Sequence, residues 1–245
     1  MQKKSSFSSS GSGLTSAVLA VVGLLALAGC SGSSDDGAKG ASGPASLLTE
    51  ARTGLDRTKT LHFTLTSTDV PETGTRLVAG EGVVARPKSF QGKLSVLLNG
   101  SKVSIDLISA DAKVYAKLPF SNDFQVTDPT AFGLSDPANL IDSKTGISRM
   151  FGELTDVTDK GEQRIGDDVV SQLNGSLPGS LVKDLLTSAD PATPVKTELY
   201  ITKTSKQLRR VVMTGPFFEK GQNSTFNLVL DKYDAPVTIT APPAS

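Results

Sequence analysis

The chain has 245 residues, 38% of them hydrophobic and 20% charged, a globular composition that excludes both a wholly disordered chain and a polytopic membrane protein. Lysine plus arginine equals aspartate plus glutamate at 25 each, so no basic field exists to hold nucleic acid. One histidine, His62, and one cysteine, Cys30, cannot supply a zinc or transition-metal ligand set or an intrachain disulfide. With no tryptophan and 5% aromatics, the core has to be aliphatic.

Lys3 and Lys4 open the chain, and Ala17 to Ala28 is an apolar run too short to span a bilayer as a helix. Residues 1–29 therefore read as a secretory signal. It ends in Leu27-Ala28-Gly29-Cys30, which resembles the bacterial lipobox, where cleavage before the cysteine follows thioether attachment of a diacylglycerol. Two or more acyl chains, at about 0.8 kcal/mol per buried methylene, anchor a protein permanently. The expectation is a mature chain held at Cys30 on the outer face of the plasma membrane, with 23 basic and 25 acidic side chains. Ser31 to Gly43 has no branched or aromatic residue and reads as a tether, so residues 30–43 carry the anchor and residues 44–245 the folded domain.

After Pro44, Leu47, Leu48, Ala51 and Leu55 recur at helical spacing, which predicts an amphipathic helix. The period then becomes two: Leu61, Phe63 and Leu65 alternate with His62, Thr64 and Thr66 as in a half-buried strand. In the clearest segment, Phe90, Leu94, Val96 and Leu98 face one way and Val103, Ile105 and Leu107 answer across Asn99-Gly100, a strong hairpin signal. Ala112, Val114, Ala116 and Leu118 continue the meander. Further strands are predicted at 76–86, 197–203, 207–214, 225–232 and 236–240. Short helices are predicted around Asp136-Pro137, over Gly146–Leu154, and from Pro178 through Leu181, Val182, Leu185 and Leu186.

This order of strands and helices predicts an α+β fold: a curved antiparallel half-barrel sheet, bent at Gly82 and Gly92, wrapping a few helices around an apolar cavity. Phe90, Leu94, Val96, Leu98, Val103, Ile105, Leu107 and Val114 are the expected cavity lining, although the same alternation also fits a filled core. Gly215-Pro216 and Lys220-Gly221 bracket Phe217-Phe218 with turn signals, which makes these two rings a candidate membrane-facing lip.

Catalytic signals are missing. No G-x-S-x-G, Walker or G-x-G-x-x-G motif occurs, and His62 lies on the polar side of a predicted strand. Asp167-Asp168 reads as a turn rather than an acid–base pair. No enzyme, cofactor or metal site is expected.

The lipobox at Cys30, the strand pair from Phe90 through Asp106, Val114-Tyr115-Ala116-Lys117-Leu118, Asp136-Pro137-Ala138 with Thr145-Gly146-Ile147, and Asp231-Lys232-Tyr233 with Val237-Thr238-Ile239 together resemble the LprG/LppX/LprA family of actinobacterial lipoproteins. The resemblance covers nearly the whole mature domain. It implies a half-barrel around an apolar cavity for acyl chains of triacylated lipids and glycolipids, a carrier role in the cell envelope, and a major-facilitator efflux transporter as partner. The segment Gly215–Gly221 departs from the family by being longer and more apolar than the corresponding turn.

Overall fold

A computed structural model describes residues 43–98 and 100–243; the expected signal, the lipidation site Cys30 and the tether up to residue 42 lie outside the described residues. The first helix, α1 (Pro44–Arg57), has Pro44 in its first turn, where no backbone N–H is needed, and buries the apolar set Leu47, Leu48, Ala51 and Leu55. Its last carbonyls are taken up locally and from the sheet. The Thr58 N–H donates to the Leu55 carbonyl at 3.1 Å, and the Arg86 guanidinium donates to the carbonyls of Thr58 (2.8 Å) and Leu55 (3.4 Å).

Eleven strands follow. The first six are β1 (Thr60–Thr68), β2 (Thr75–Ala85), β3 (Ser89–Leu98), β4 (Ser101–Ala110), β5 (Lys113–Lys117) and β6 (Gln125–Val126). After three short 3₁₀ turns and α2 (Met150–Glu153) come β7 (Thr155–Ile165) and β8 (Asp168–Leu177). Then α3 (Gly179–Lys183) precedes β9 (Val195–Thr202), β10 (Leu208–Glu219) and β11 (Gln222–Asp231). All pairings are antiparallel, in one sheet of order β6-β5-β4-β3-β2-β1-β11-β10-β9-β8-β7. Two meanders thus meet where β1 pairs β11, with Phe63 opposite Leu230 and Leu65 opposite Leu228.

The expected curved half-barrel is not what forms. The sheet is open, its end strands β6 and β7 do not pair, and it is neither closed nor strongly curled. The two glycines taken as bend points have a different use. Gly82 and Gly92 face each other in register on β2 and β3, and a Cβ on either would stand 2.5 or 2.6 Å from the Phe90 ring. They let a large ring lie against the strand pair. Phe90 also stacks on Phe63, with ring centroids 5.8 Å apart.

Two other departures have physical causes. The segment 236–240 is not a strand: β1 and β11, the strands nearest in the chain path, are each paired on both sides and offer it no free edge, and Lys232 and Asp234 turn the chain away at positive φ. The strand β7 escaped the sequence reading because its residues are exposed on both faces, apart from half-buried Val157 and Ile165, and so carry no period-two apolar pattern. Gly166-Asp167 forms the tight turn into β8, and Asp168 accepts a hydrogen bond from Arg209 at 3.0 Å.

Candidate functional site

The inner sheet face carries Phe63 and Leu65 of β1, Leu77 of β2, Leu94 of β3, Met213 of β10, and Phe226 and Leu228 of β11. Opposite them stand Leu134, Pro137, Leu140, Ile147, Leu185 and Leu186, from the segments before β7 and after α3. Between the two sets lies an apolar cleft of about 90 Å³ whose only polar neighbours are Ser135 and Asp136. Asp136 is occupied in structural work: one carboxylate oxygen accepts the Ala138 N–H (2.9 Å) at the start of a 3₁₀ turn, and the other accepts the Ser109 hydroxyl (3.0 Å).

The cover is held differently from the sheet. Between its two segments the backbone bonds are Ser135 N–H to the Leu185 carbonyl and Thr187 N–H to the Gly133 carbonyl, both 3.1 Å. Arg86 reaches the Ile141 carbonyl from the end of β2. Each inner strand, by contrast, sits in a ladder on both sides. Opening the cleft therefore breaks few hydrogen bonds, whereas parting strands breaks many.

Of the eight residues expected to line a cavity, Leu94 alone borders the cleft. Phe90, Val96, Ile105, Leu107 and Val114 are buried in the same core beside it. Val103 is half-buried, and Leu98, the last residue of β3, is 39% exposed. Phe217 and Phe218 are not in a turn. They belong to β10; Phe217 is fully buried, edge-on to Phe226 at 5.0 Å, and Phe218 is half-buried beneath the Arg76 guanidinium at 5.4 Å. The remaining lining, notably Phe226 and Leu228 against Leu134 and Leu140, was not singled out from sequence. Only the β1–β11 pairing, set by residues more than 150 positions apart, brings it together.

A larger concavity, about 510 Å³, has a mixed lining, with Val83, Leu107, Ile108 and Phe124 beside its polar groups. His62, Glu81, Gln91, Lys93 and Asp106 border it, with Lys93 and Asp106 paired at 3.5 Å and His62 bonded to Asp231 at 2.5 Å. The charged groups along its wall make it a poorer container for hydrocarbon than the cleft. Farther along the outer face, Tyr200 donates to Glu198 at 2.6 Å beneath the Arg210 guanidinium. Burial, then the bond to Glu198, pushes its hydroxyl pKa up to about 12. Among the described residues, no group of three or more His, Cys, Asp or Glu side chains is placed to hold a metal ion.

The sequence model of the LppX_LprAFG lipoprotein family matches residues 43–239. The lipoarabinomannan carrier protein LprG of Mycobacterium tuberculosis (strain H37Rv) is 25% identical over 201 residues, 81% of this chain and 82% of its own length. The crystal structure of LprF from Mycobacterium bovis superimposes with a TM-score of 0.66 at 17% identity, over 82% of this chain and 97% of that one. The lipoprotein LppX of Mycobacterium tuberculosis does so with a TM-score of 0.58 at 17% identity, over 80% and 98%.

Proposed function

The chain belongs to the LppX_LprAFG lipoprotein family, and from that premise we propose that it is a non-enzymatic carrier, anchored through Cys30 to the outer face of the plasma membrane. Its cargo is the acyl chains of triacylated lipids or glycolipids, moved within the cell envelope. The observation that carries this reading is the cleft, two apolar surfaces facing each other across a gap with almost no polar lining. The relative named as a lipoarabinomannan carrier supports the same cargo class.

The energetics explain why such a surface is needed. Exposing one sixteen-carbon chain to water costs on the order of 12 kcal/mol, at about 0.8 kcal/mol per methylene. A lipid with two or three chains crosses water only inside a hydrophobic container. At about 90 Å³ the cleft is far smaller than the roughly 300–1,000 Å³ of a typical ligand site, so loading requires the cover to move away from the sheet. Few hydrogen bonds tie it to the sheet and its flank, among them Ser109 to Asp136, Arg86 to the Ile141 carbonyl and the Asp190 N–H to the Pro216 carbonyl, and this makes it the part that yields. Leu134, Leu140 and Leu185 then exchange their contacts with the sheet for contacts with an acyl chain, a nearly neutral swap of one apolar surface for another.

A second reading, an envelope scaffold with a filled core, draws on that same small volume. Native mass spectrometry of the chain lacking its acyl anchor separates the two. Lipid that co-purifies with the wild-type chain and is lost from Leu94→Trp, whose ring fills the gap, supports the carrier. A bare chain that also rejects added lipid ends it.

A further inference from the structure

Five large hydrophobic side chains are substantially exposed among the described residues, and three of them fall within the nine residues Leu118–Val126, the connection that follows β5 together with β6 itself. Leu118 is 50% exposed, Val126 64%, and Phe120 107%, fully open to solvent. Its placement is built. The Ser121 N–H donates to the Leu118 carbonyl at 3.1 Å, closing a four-residue turn with Pro119 second and Phe120 third, and Phe120 has φ +71°. That third position calls for positive φ and favours glycine. Here stands the most exposed aromatic ring among the described residues instead.

We propose that this turn is where the domain touches the surface of the lipid bilayer, with Phe120 entering the headgroup–acyl boundary. The proposal rests on the lipoprotein assignment and not on the nature of the cargo. Three observations select a membrane as the occupant. First, the chain is of a lipoprotein family, and Cys30 precedes Pro44 by only the 13 residues Ser31–Gly43. An anchored domain meets a bilayer continuously at high effective concentration.

Second, the patch is wrong for a second copy of the chain. The three side chains offer on the order of 400 Å², half of the roughly 800 Å² per partner that a stable interface buries. The neighbouring edge strand β6 is only two residues long, too short to extend the sheet into another molecule. A projecting aromatic flanked by aliphatic residues is, however, sufficient for shallow insertion into an interface. Third, the turn is continuous with the cover of the cleft. Leu118 and Val126 border a shallow hollow with Phe132, and the chain passes from there into Leu134 and Pro137 of the cleft wall.

The absence of tryptophan gives a direct test. The full lipidated chain carrying Phe120→Trp is reconstituted into vesicles of phosphatidylcholine and phosphatidylglycerol in equal parts, with and without brominated acyl chains. Val237→Trp, at another exposed apolar position, serves as the reference. The expected result is a blue-shifted Phe120→Trp emission quenched at least twofold by the brominated chains, with the reference unaffected. Val126→Trp repeats the measurement from the other side of the turn. Emission from both turn positions that is quenched no more than the reference overturns the proposal. So does a blue shift that appears without lipid and grows with protein concentration, since a second copy would then cover the turn. A bare chain in mass spectrometry would end the carrier reading while leaving this quenching intact, so the two fail separately.

Discussion

Two segments combine proline with phenylalanine, and the fold uses them in opposite ways. In Gly215-Pro216-Phe217-Phe218 the proline is buried inside β10, its carbonyl accepting the Asp190 N–H at 3.2 Å, and Phe217 is completely enclosed. In Pro119-Phe120 the proline starts a turn at the edge of the sheet, and the ring stands free. The turn vocabulary is similar in both. What differs is the surroundings: β11 pairs β10 on both sides of the irregularity between Gly215 and Glu219 and supplies Phe226 as a partner, whereas beyond β6 the sheet has no further strand. Glycine and proline mark where a chain is irregular, but the partner strand decides whether an aromatic ring is core or surface.

The largest effect that separates the two belongs to Phe217. Phe217→Ala removes a fully buried ring and leaves a cavity against Phe226, so stability measured by denaturant titration should fall by about 3–5 kcal/mol. Phe120→Ser, by contrast, should stay within about 0.5 kcal/mol of wild type. Equal losses at the two positions would erase the distinction.

Phe218 lies between these extremes and sharpens the comparison. Its ring is half-buried, tilted against Phe226 at 5.8 Å and capped by Arg76 at 5.4 Å. Phe218→Ser should cost about 1–2 kcal/mol, the sum of a modest aromatic contact and a partly exposed cation–π contact. A double-mutant cycle with Arg76→Leu should return a coupling of about 0.5–1 kcal/mol. A coupling of zero would mean that the guanidinium is held by Glu219 and the Thr75 carbonyl, each at 3.4 Å, and not by the ring.

The same contrast explains what the sequence could and could not disclose. Local, periodic features were legible: α1 buries the four residues that its spacing selects, and the β3–β4 hairpin pairs Leu94 with Ile105 and Val96 with Val103 across the expected turn. The apolar character of the cleft was legible too, but not its membership. Phe63 and Phe226 meet through the β1–β11 pairing, and Leu134 approaches them from a 3₁₀-rich segment with no periodic signal of its own. The curvature assigned to Gly82 and Gly92 failed for a different reason: period-two counting puts Phe90 and Gly92 on one face of β3, but it does not say that the Phe90 ring leans over the glycine pair and fills the space their missing side chains leave. The lip was sought at Phe217-Phe218, where apolar residues cluster in sequence. The exposed cluster is instead the sparser Leu118, Phe120 and Val126.

The smallest effect tests whether the exposed turn bears a local cost. A residue with a Cβ in the left-handed region is disfavoured by roughly 1–2 kcal/mol, and Phe120 sits at φ +71°. Phe120→Gly removes that penalty but enlarges the unfolded ensemble, which costs about 0.4–1 kcal/mol. The net expectation is a gain of about 0.5–1 kcal/mol over wild type. Phe120→Ala isolates the cause, because alanine deletes the ring yet keeps the Cβ and the strain. The glycine variant should therefore exceed the alanine variant by a similar margin, while both should detach from vesicles equally easily once the acyl anchor is absent. If glycine and alanine prove equally stable, the turn carries no backbone penalty, and the ring's presence there needs no compensating contact with a membrane.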